Sequence, residues 1–149
     1  MFKSYDESIG QLTSETNKKM LRYLNGELEQ YNITLEQWNV LFSLGKQDKI
    51  NQRNLAEKVN KDQPTLARIL DILERKKLIE RLTVKEDRRA YLIHMTEEGR
   101  KLQNEVADFL ELVFKKILQG ITEEKLTIYT EVLTQIDKNI INQRQGENN

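Results

Sequence analysis

Two groups of side chains in the middle of this 149-residue chain carry polar chemistry at a usable spacing. The first is Gln63, Thr65 and Arg68. Asp62 ahead of them suits a helix N-cap, and Pro64 is tolerated only in a first turn, so a helix starts here. Leu66, Ile69, Leu70 and Leu73 recur at helical spacing, with Ile72 at the edge, which turns Gln63, Thr65 and Arg68 to the opposite side. The second group is Lys85-Glu86-Asp87-Arg88-Arg89, a run without an apolar residue between two alternating segments, IERLTV (79–84) and AYLIHM (90–95). That pattern is a β-hairpin with a solvated tip. Such groups bind rather than break bonds. Arginine is the usual bidentate partner of guanine, glutamine can pair with adenine, and Thr65 or Pro64 can pack on thymine methyl groups. A basic hairpin can lie along phosphates and send one arginine into the minor groove. Each group alone also fits an ordinary solvated face; their succession is what favours contact with DNA.

The elements that must position them can be read in chain order. Tyr5, Ile9, Leu12, Met20, Leu24, Leu28 and Tyr31 give a long first helix over 5–31, with breaks expected near Gly10 and Gly26. Ile33-Thr34 opens a second helix, where Thr34 and Gln37 form a capping box and Ile33 staples to Trp38. Its expected inward residues are Trp38, Leu41, Phe42 and Leu44, and it ends near Gly45. Asn51 caps a third, short helix with Leu55, Ala56 and Val59 inward. The helix begun at Asp62 runs to Lys76-Lys77, whose charges suit its partly negative end. After the hairpin, Thr96-Glu97-Glu98 opens a fifth helix carrying Leu102, Val106, Phe109, Leu110, Val113 and Ile117, closed by Gly120. Thr122 starts a sixth with Leu126, Tyr129, Val132, Leu133, Ile136 and Ile140, and the QRQGENN tail is expected to fray.

Composition removes other chemistries. There is no cysteine and one histidine, which excludes thiol redox sensing and thiolate metal sites and argues against zinc; no metal or cofactor is expected. His94, alone on a strand, reads as structural. No apolar run reaches the roughly 20 residues of a membrane span, so the expectation is a cytoplasmic protein of one domain, 1–149. No nucleophile–base set and no Gly-rich phosphate loop occur, so no enzyme is expected. Net charge is zero, yet 51–94 holds 11 Lys/Arg against 7 Asp/Glu, an excess of 4 that the rest of the chain must cancel.

The stretch KDQPTLARILDILERKKLIERLTVKEDRRAYLIHMTEEGRKL closely resembles the MarR (multiple-antibiotic-resistance regulator) family of winged helix-turn-helix transcription factors. The most specific parts are the Asp-x-Arg of the hairpin, Asp87-Arg88-Arg89, and the frame LIER…DRRAYLIHMTEEG. The flanking helices fit the same layout. The resemblance implies a mainly α fold of six helices with a small β-hairpin wing at about 79–95, inside a winged-helix lobe over 34–95. It implies minor-groove insertion by Arg89, with Asp87 orienting either Arg89 or a recognition-helix arginine. Base contacts are expected from Gln63, Pro64, Thr65 and Arg68, although the family pattern often has Ser or Thr where Pro64 stands. Phosphate contacts are expected from Gln52, Arg53, Lys61, Lys85 and Arg88.

The resemblance also implies a homodimer joined through the helices of 5–31 and 97–145, whose apolar stripes exceed what one subunit can cover. A two-fold pair demands a pseudo-palindromic operator in double-stranded DNA. The reading is therefore a repressor released by a small aromatic or phenolic effector, with Leu12, Trp38 and Phe42 as the expected effector pocket. The competing expectation is a winged helix used for protein–protein contact without DNA.

Overall fold

The computed structural model describes residues 9–147, apart from the side chains of Asp87, Arg88 and Arg89. The order is α1 (Ile9–Leu28), a 3-10 turn (Glu29–Tyr31), α2 (Leu35–Lys46), β1 (Ile50–Asn51), α3 (Gln52–Lys58), α4 (Gln63–Arg75), β2 (Ile79–Val84), β3 (Asp87–Met95), α5 (Glu97–Ile117) and α6 (Glu123–Glu147). This is the expected winged helix-turn-helix, mainly α with a small antiparallel sheet. No described helix is long and apolar enough to cross a membrane.

Helix starts follow the capping chemistry. Thr34 Oγ1 accepts from the Gln37 N–H while Gln37 Oε1 accepts from the Thr34 N–H, both at 3.2 Å. Asn51 Oδ1 and Asp62 Oδ1 accept from the Asn54 and Thr65 amides, each at 2.8 Å. The bonds from Thr65, first its amide and then its side chain, hold the Asp62 carboxyl below its ordinary range, with smaller help from Lys61. Helix ends are less obvious, because α3 and α4 close without glycine. Asn60 and Lys77 take left-handed φ of 53° and 61°. The next amides, Lys61 and Leu78, donate back to Ala56 O and Leu73 O at 3.0 Å, the Schellman closure.

By chain connectivity and contacts the molecule resolves into two compact units, Met1–Glu111 and Leu112–Asn149. In the first, the whole expected stripe of α4 is buried: Leu66, Ile69, Leu70 and Leu73. It shares its core with Leu41 and Leu44 of α2, Leu55 of α3, and Ile79 and Ile93 of the sheet. Strand order is β1-β3-β2, with Ile50 opposite Ile93 and Ile79 opposite Met95. Three clamps fix the ends of α4 and the base of the wing. Lys76 Nζ donates to Asn32 O at 2.5 Å and Gln37 Oε1 at 3.2 Å, and burial holds its pKa below the usual lysine value. Asp48 accepts from the Met95 amide at 2.9 Å and lies 2.6 Å from His94 Nδ1. At the root of α5, the Thr96 amide donates to Leu78 O at 3.0 Å, and the Thr96 hydroxyl to Lys77 O at 2.8 Å. Gly99 lies so close that a Cβ there would meet Leu78 O at 2.1 Å.

Several expectations need correction. Helix α1 runs unbroken through Gly26, since one glycine weakens a helix without ending it, while the segment before Gly10 lies outside the described residues apart from Ile9. Its Leu24 and Leu28 are buried, but Ile9 and Leu12 are exposed, and Tyr5 lies outside the described residues. In α2 the buried residues are Gln37, Val40, Leu41 and Leu44, while Trp38 and Phe42 are half-buried at the side. Strand β1 was not expected; Ile50, just before the Asn51 cap, is a sheet residue opposite Ile93. The hairpin tip is Lys85-Glu86 alone, with β3 beginning at Asp87. Thr83 pairs with Tyr91 but Val84 with Asp87, so residues 88–90 bulge out of the ladder.

In the second unit, Gly120 takes φ 82° after α5, and Thr122 Oγ1 accepts from the Lys125 amide at 3.3 Å. Helix α6 continues to Glu147, through most of the tail expected to fray. None of its residues is buried, and Tyr129, Val132, Leu133, Ile136 and Ile140 are exposed.

Two stability predictions follow from these contacts. Gly99→Ala should destabilise by about 1–3 kcal/mol, as overpacking against a fixed carbonyl does, whereas Gly26→Ala, with nothing within 4 Å, should stabilise by about 0.5–1 kcal/mol; denaturant titration reads both. For Asp62 the folded pKa lies below the unfolded one, so its contribution is complete above the unfolded value and fades as pH falls through the folded value. The stability gap between wild type and Asp62→Ala should therefore be constant near neutrality and close in acid, as thermal melts across pH would record.

Candidate nucleic-acid interface

Helix α4 is held from behind by its four buried side chains and at its start by Asp62, so its opposite face is fixed in direction. Gln63, Pro64 and Arg68 are exposed on that face. Thr65 is half-buried and its amide is consumed by the Asp62 cap, so it is drawn toward the turn more than the spacing suggested. Of the three polar residues expected on this face, Gln63 and Arg68 are exposed and Thr65 is the most recessed.

The preceding turn adds to this face. Arg53, Glu57, Asn60, Lys61, Asp62 and Gln63 line a shallow depression of about 430 Å³ between α3 and α4. It joins Arg53 and Lys61, expected at phosphates, to Gln63, expected at a base edge. Gln52 is half-buried in the first turn of α3. Lys61 is not a lone cation: its Nζ lies 2.8 Å from Glu36 Oε1 in a surface pair, which contributes little and exchanges readily with other anions.

The wing presents exposed Lys85 at its tip. The backbone of Asp87, Arg88 and Arg89 forms the start of β3, and the bulge after Asp87 takes the backbone of Arg88 and Arg89 out of the ladder. Their side chains, and so the partner of Asp87, lie outside the described residues.

One site residue escaped the sequence reading. Arg81, the third residue of β2, puts Nη2 2.8 Å from Asp71 Oδ1 and Nη1 3.1 Å from Glu74 Oε2, bridging the wing to α4. Nothing local signals this, because ten residues and a change of element separate Arg81 from Asp71. The pair Asp48 and His94 was equally illegible.

The expected effector set is only partly assembled. Trp38 and Phe42 stack with ring centroids 5.0 Å apart, and Trp38 Nε1 donates to Gln103 O at 3.2 Å. Phe42 lines an open cleft of about 420 Å³ with Asn39, Ser43, Lys46, Lys58 and Val59. Lys46 Nζ stands 4.4 Å from the Phe42 ring centroid. Leu12, 66% exposed on α1, does not line that cleft.

Comparison with known proteins supports this geometry. Residues 33–91, from the start of α2 into β3, match the model of the MarR family. The MepR–DNA complex of S. aureus superposes with a TM-score of 0.82 at 27% identity, over 90% of this chain and 99% of that one. A MarR-family transcriptional regulator from Rhodococcus sp. RHA1 gives 0.79 at 25% identity, over 91% and 96%. The transcriptional regulator PA3341 gives 0.76 at 34% identity, over 89% of this chain and 98% of its own. A recognition helix with a polar front, a bulged basic wing and 34% identity along nearly the whole length of a transcriptional regulator lead to one conclusion: this chain belongs to the MarR family of winged helix-turn-helix regulators.

Proposed function

We propose that the protein binds a specific double-stranded DNA sequence as a homodimer and represses transcription until a small molecule releases it. The observation that carries the reading is the face of α4: Gln63, Pro64 and Arg68 exposed on a helix whose other side is wholly buried. A helix enters the major groove with its N-terminal residues at the base edges, and these positions are the N-terminal ones. Arg68 suits guanine, Gln63 adenine, and Pro64 and Thr65 thymine methyls. Gln52, Arg53, Lys61, Lys85 and Arg88 meet phosphates, and Arg89 enters the minor groove with Asp87 orienting a basic neighbour. MepR of S. aureus, whose structure is of a complex with DNA, shares the fold at 27% identity and favours this use of the surface.

The dimer reading draws on α6. A helix of 25 residues with no buried side chain and an apolar row Tyr129, Val132, Leu133, Ile136 and Ile140 needs a cover. A second copy, paired about a two-fold axis, supplies it and sets two recognition helices about 34 Å apart on a pseudo-palindrome. Trp38 and Phe42 are the proposed aromatic wall for an aromatic or phenolic effector. The fold performs no chemistry in this reading, and the protein works in the cytoplasm.

Two experiments test the proposal. Duplexes selected by the protein from random sequence should bind with a steep inverse salt dependence. Arg68→Ala should cost about 1–3 kcal/mol and relax base preference at one position, while Arg89→Ala should weaken binding most visibly at low salt; unchanged affinity in both variants overturns the assignment, and no binding by wild type favours a protein-contact module. For the dimer, Ile136→Glu places a charge on the apolar row and should shift the sedimenting species to monomer with a helical signal retained in the winged-helix lobe. A wild type that sediments as a monomer overturns the two-fold arrangement.

A further inference from the structure

We infer that Arg81 is a positioning residue for DNA binding, masking two carboxylates that α4 carries on the side it turns to the duplex. The inference rests on the DNA reading of α4 proposed above. Asp71 stands three residues after Arg68 and four before Arg75, so helical geometry places all three on one strip. Glu74, three residues beyond Asp71, continues the edge of that strip. All four are exposed. A polyanion approaching this face would meet two negative charges among the cations meant to receive it, and opposed like charges weaken association.

Arg81 answers that charge from the neighbouring strand. Its two terminal nitrogens are divided between the two carboxylates, at 2.8 Å from Asp71 Oδ1 and 3.1 Å from Glu74 Oε2. Its side chain is 20% exposed, against 63% for Asp71, so the guanidinium is packed between strand and helix while the acids stay at the surface. A planar fork can serve two acceptors at once in a way that a point charge cannot. The acids are thereby held toward the wing, and among the described residues neither Arg68 nor Arg75 is drawn into an ion pair. Exposed ion pairs add little to folding stability. The larger consequence of this one lies in the field that α4 presents.

The test is a cycle of variants in the full chain, read by fluorescence anisotropy on a labelled duplex selected by the wild-type protein. Arg81→Gln should weaken binding about tenfold at low salt, in line with an unmasked like charge at a nucleic-acid face. Its melting midpoint should stay close to wild type. Adding Asp71→Asn and Glu74→Gln to Arg81→Gln should restore affinity to within about threefold of wild type, because there is no longer a charge to mask. Arg81→Lys, which keeps one positive charge but can meet only one of the two acceptors at a time, should fall between wild type and Arg81→Gln and guards against a folding defect in the neutral variant. An Arg81→Gln variant as weak with the acids neutralised as with them intact would overturn the inference, since Arg81 would then be touching phosphate itself or merely holding the wing in place. Arg81→Gln binding like wild type would overturn it too. A wild type that binds no duplex overturns the DNA reading and this inference together, whereas an unrescued loss in a protein that binds overturns this inference alone.

Discussion

The structure depends on one constraint: α4 must be held rigidly by its back while its front stays polar and unoccupied. Leu66, Ile69, Leu70 and Leu73 supply the hold, all at 1% exposure or less. Burying each is worth about 1.5–3 kcal/mol in removed apolar surface, far more than any surface contact of the front face contributes. The helix cannot rotate to bury Arg68 without expelling that stripe. Direction is thus imposed by the core, and the front is left free for recognition.

A helix fixed in rotation can still slide or tilt, and the ends of α4 are where that freedom is removed. Asp62 closes the first turn. Lys77 in a left-handed conformation turns the chain at the other end, and Lys76 bonds back to the segment that leads into α2. The carbonyl of Leu78 then receives the Thr96 amide and abuts Gly99, so the exit of α4, the end of β3 and the start of α5 meet at one backbone atom. Asp48 ties the base of β3 to the turn after α2 in the same region. The wing is consequently built on the same frame as α4, and Arg81 adds a charged link between them. The placement of side chains on this face is a property of the lobe as a whole.

The two units differ in how they satisfy their apolar residues. The winged-helix lobe closes its own core. Helix α6 leaves a row of large side chains in contact with solvent, although its helical start is well marked by Thr122. Long apolar rows of that kind are tolerated in a folded protein when another surface meets them, and a second copy is the cover proposed for this one.

Much of this was legible in the residues. Capping side chains act on amides two or three positions away, so Thr34, Asn51 and Asp62 announced their helices correctly. The stripe of α4 followed from its spacing, as did the polar front and the charged hairpin. The frame around Asp87-Arg88-Arg89 carried the family resemblance. What the residues alone left undecided has a common cause: partners distant in sequence. The closure of α4 on Lys77 replaces the glycine that a local rule expects. The pairing of Ile50 with Ile93, the division of Arg81 between Asp71 and Glu74, and the meeting of Asp48 with His94 each join elements that only tertiary packing brings within reach. Trp38 and Phe42 were misread as interior for the same reason, since a helical period defines a stripe but the neighbouring elements choose which edge of it is covered. Periodicity and capping determined which segments form and which way α4 faces; packing across the chain decided how the wing is seated on it and which of its charges remain free to act.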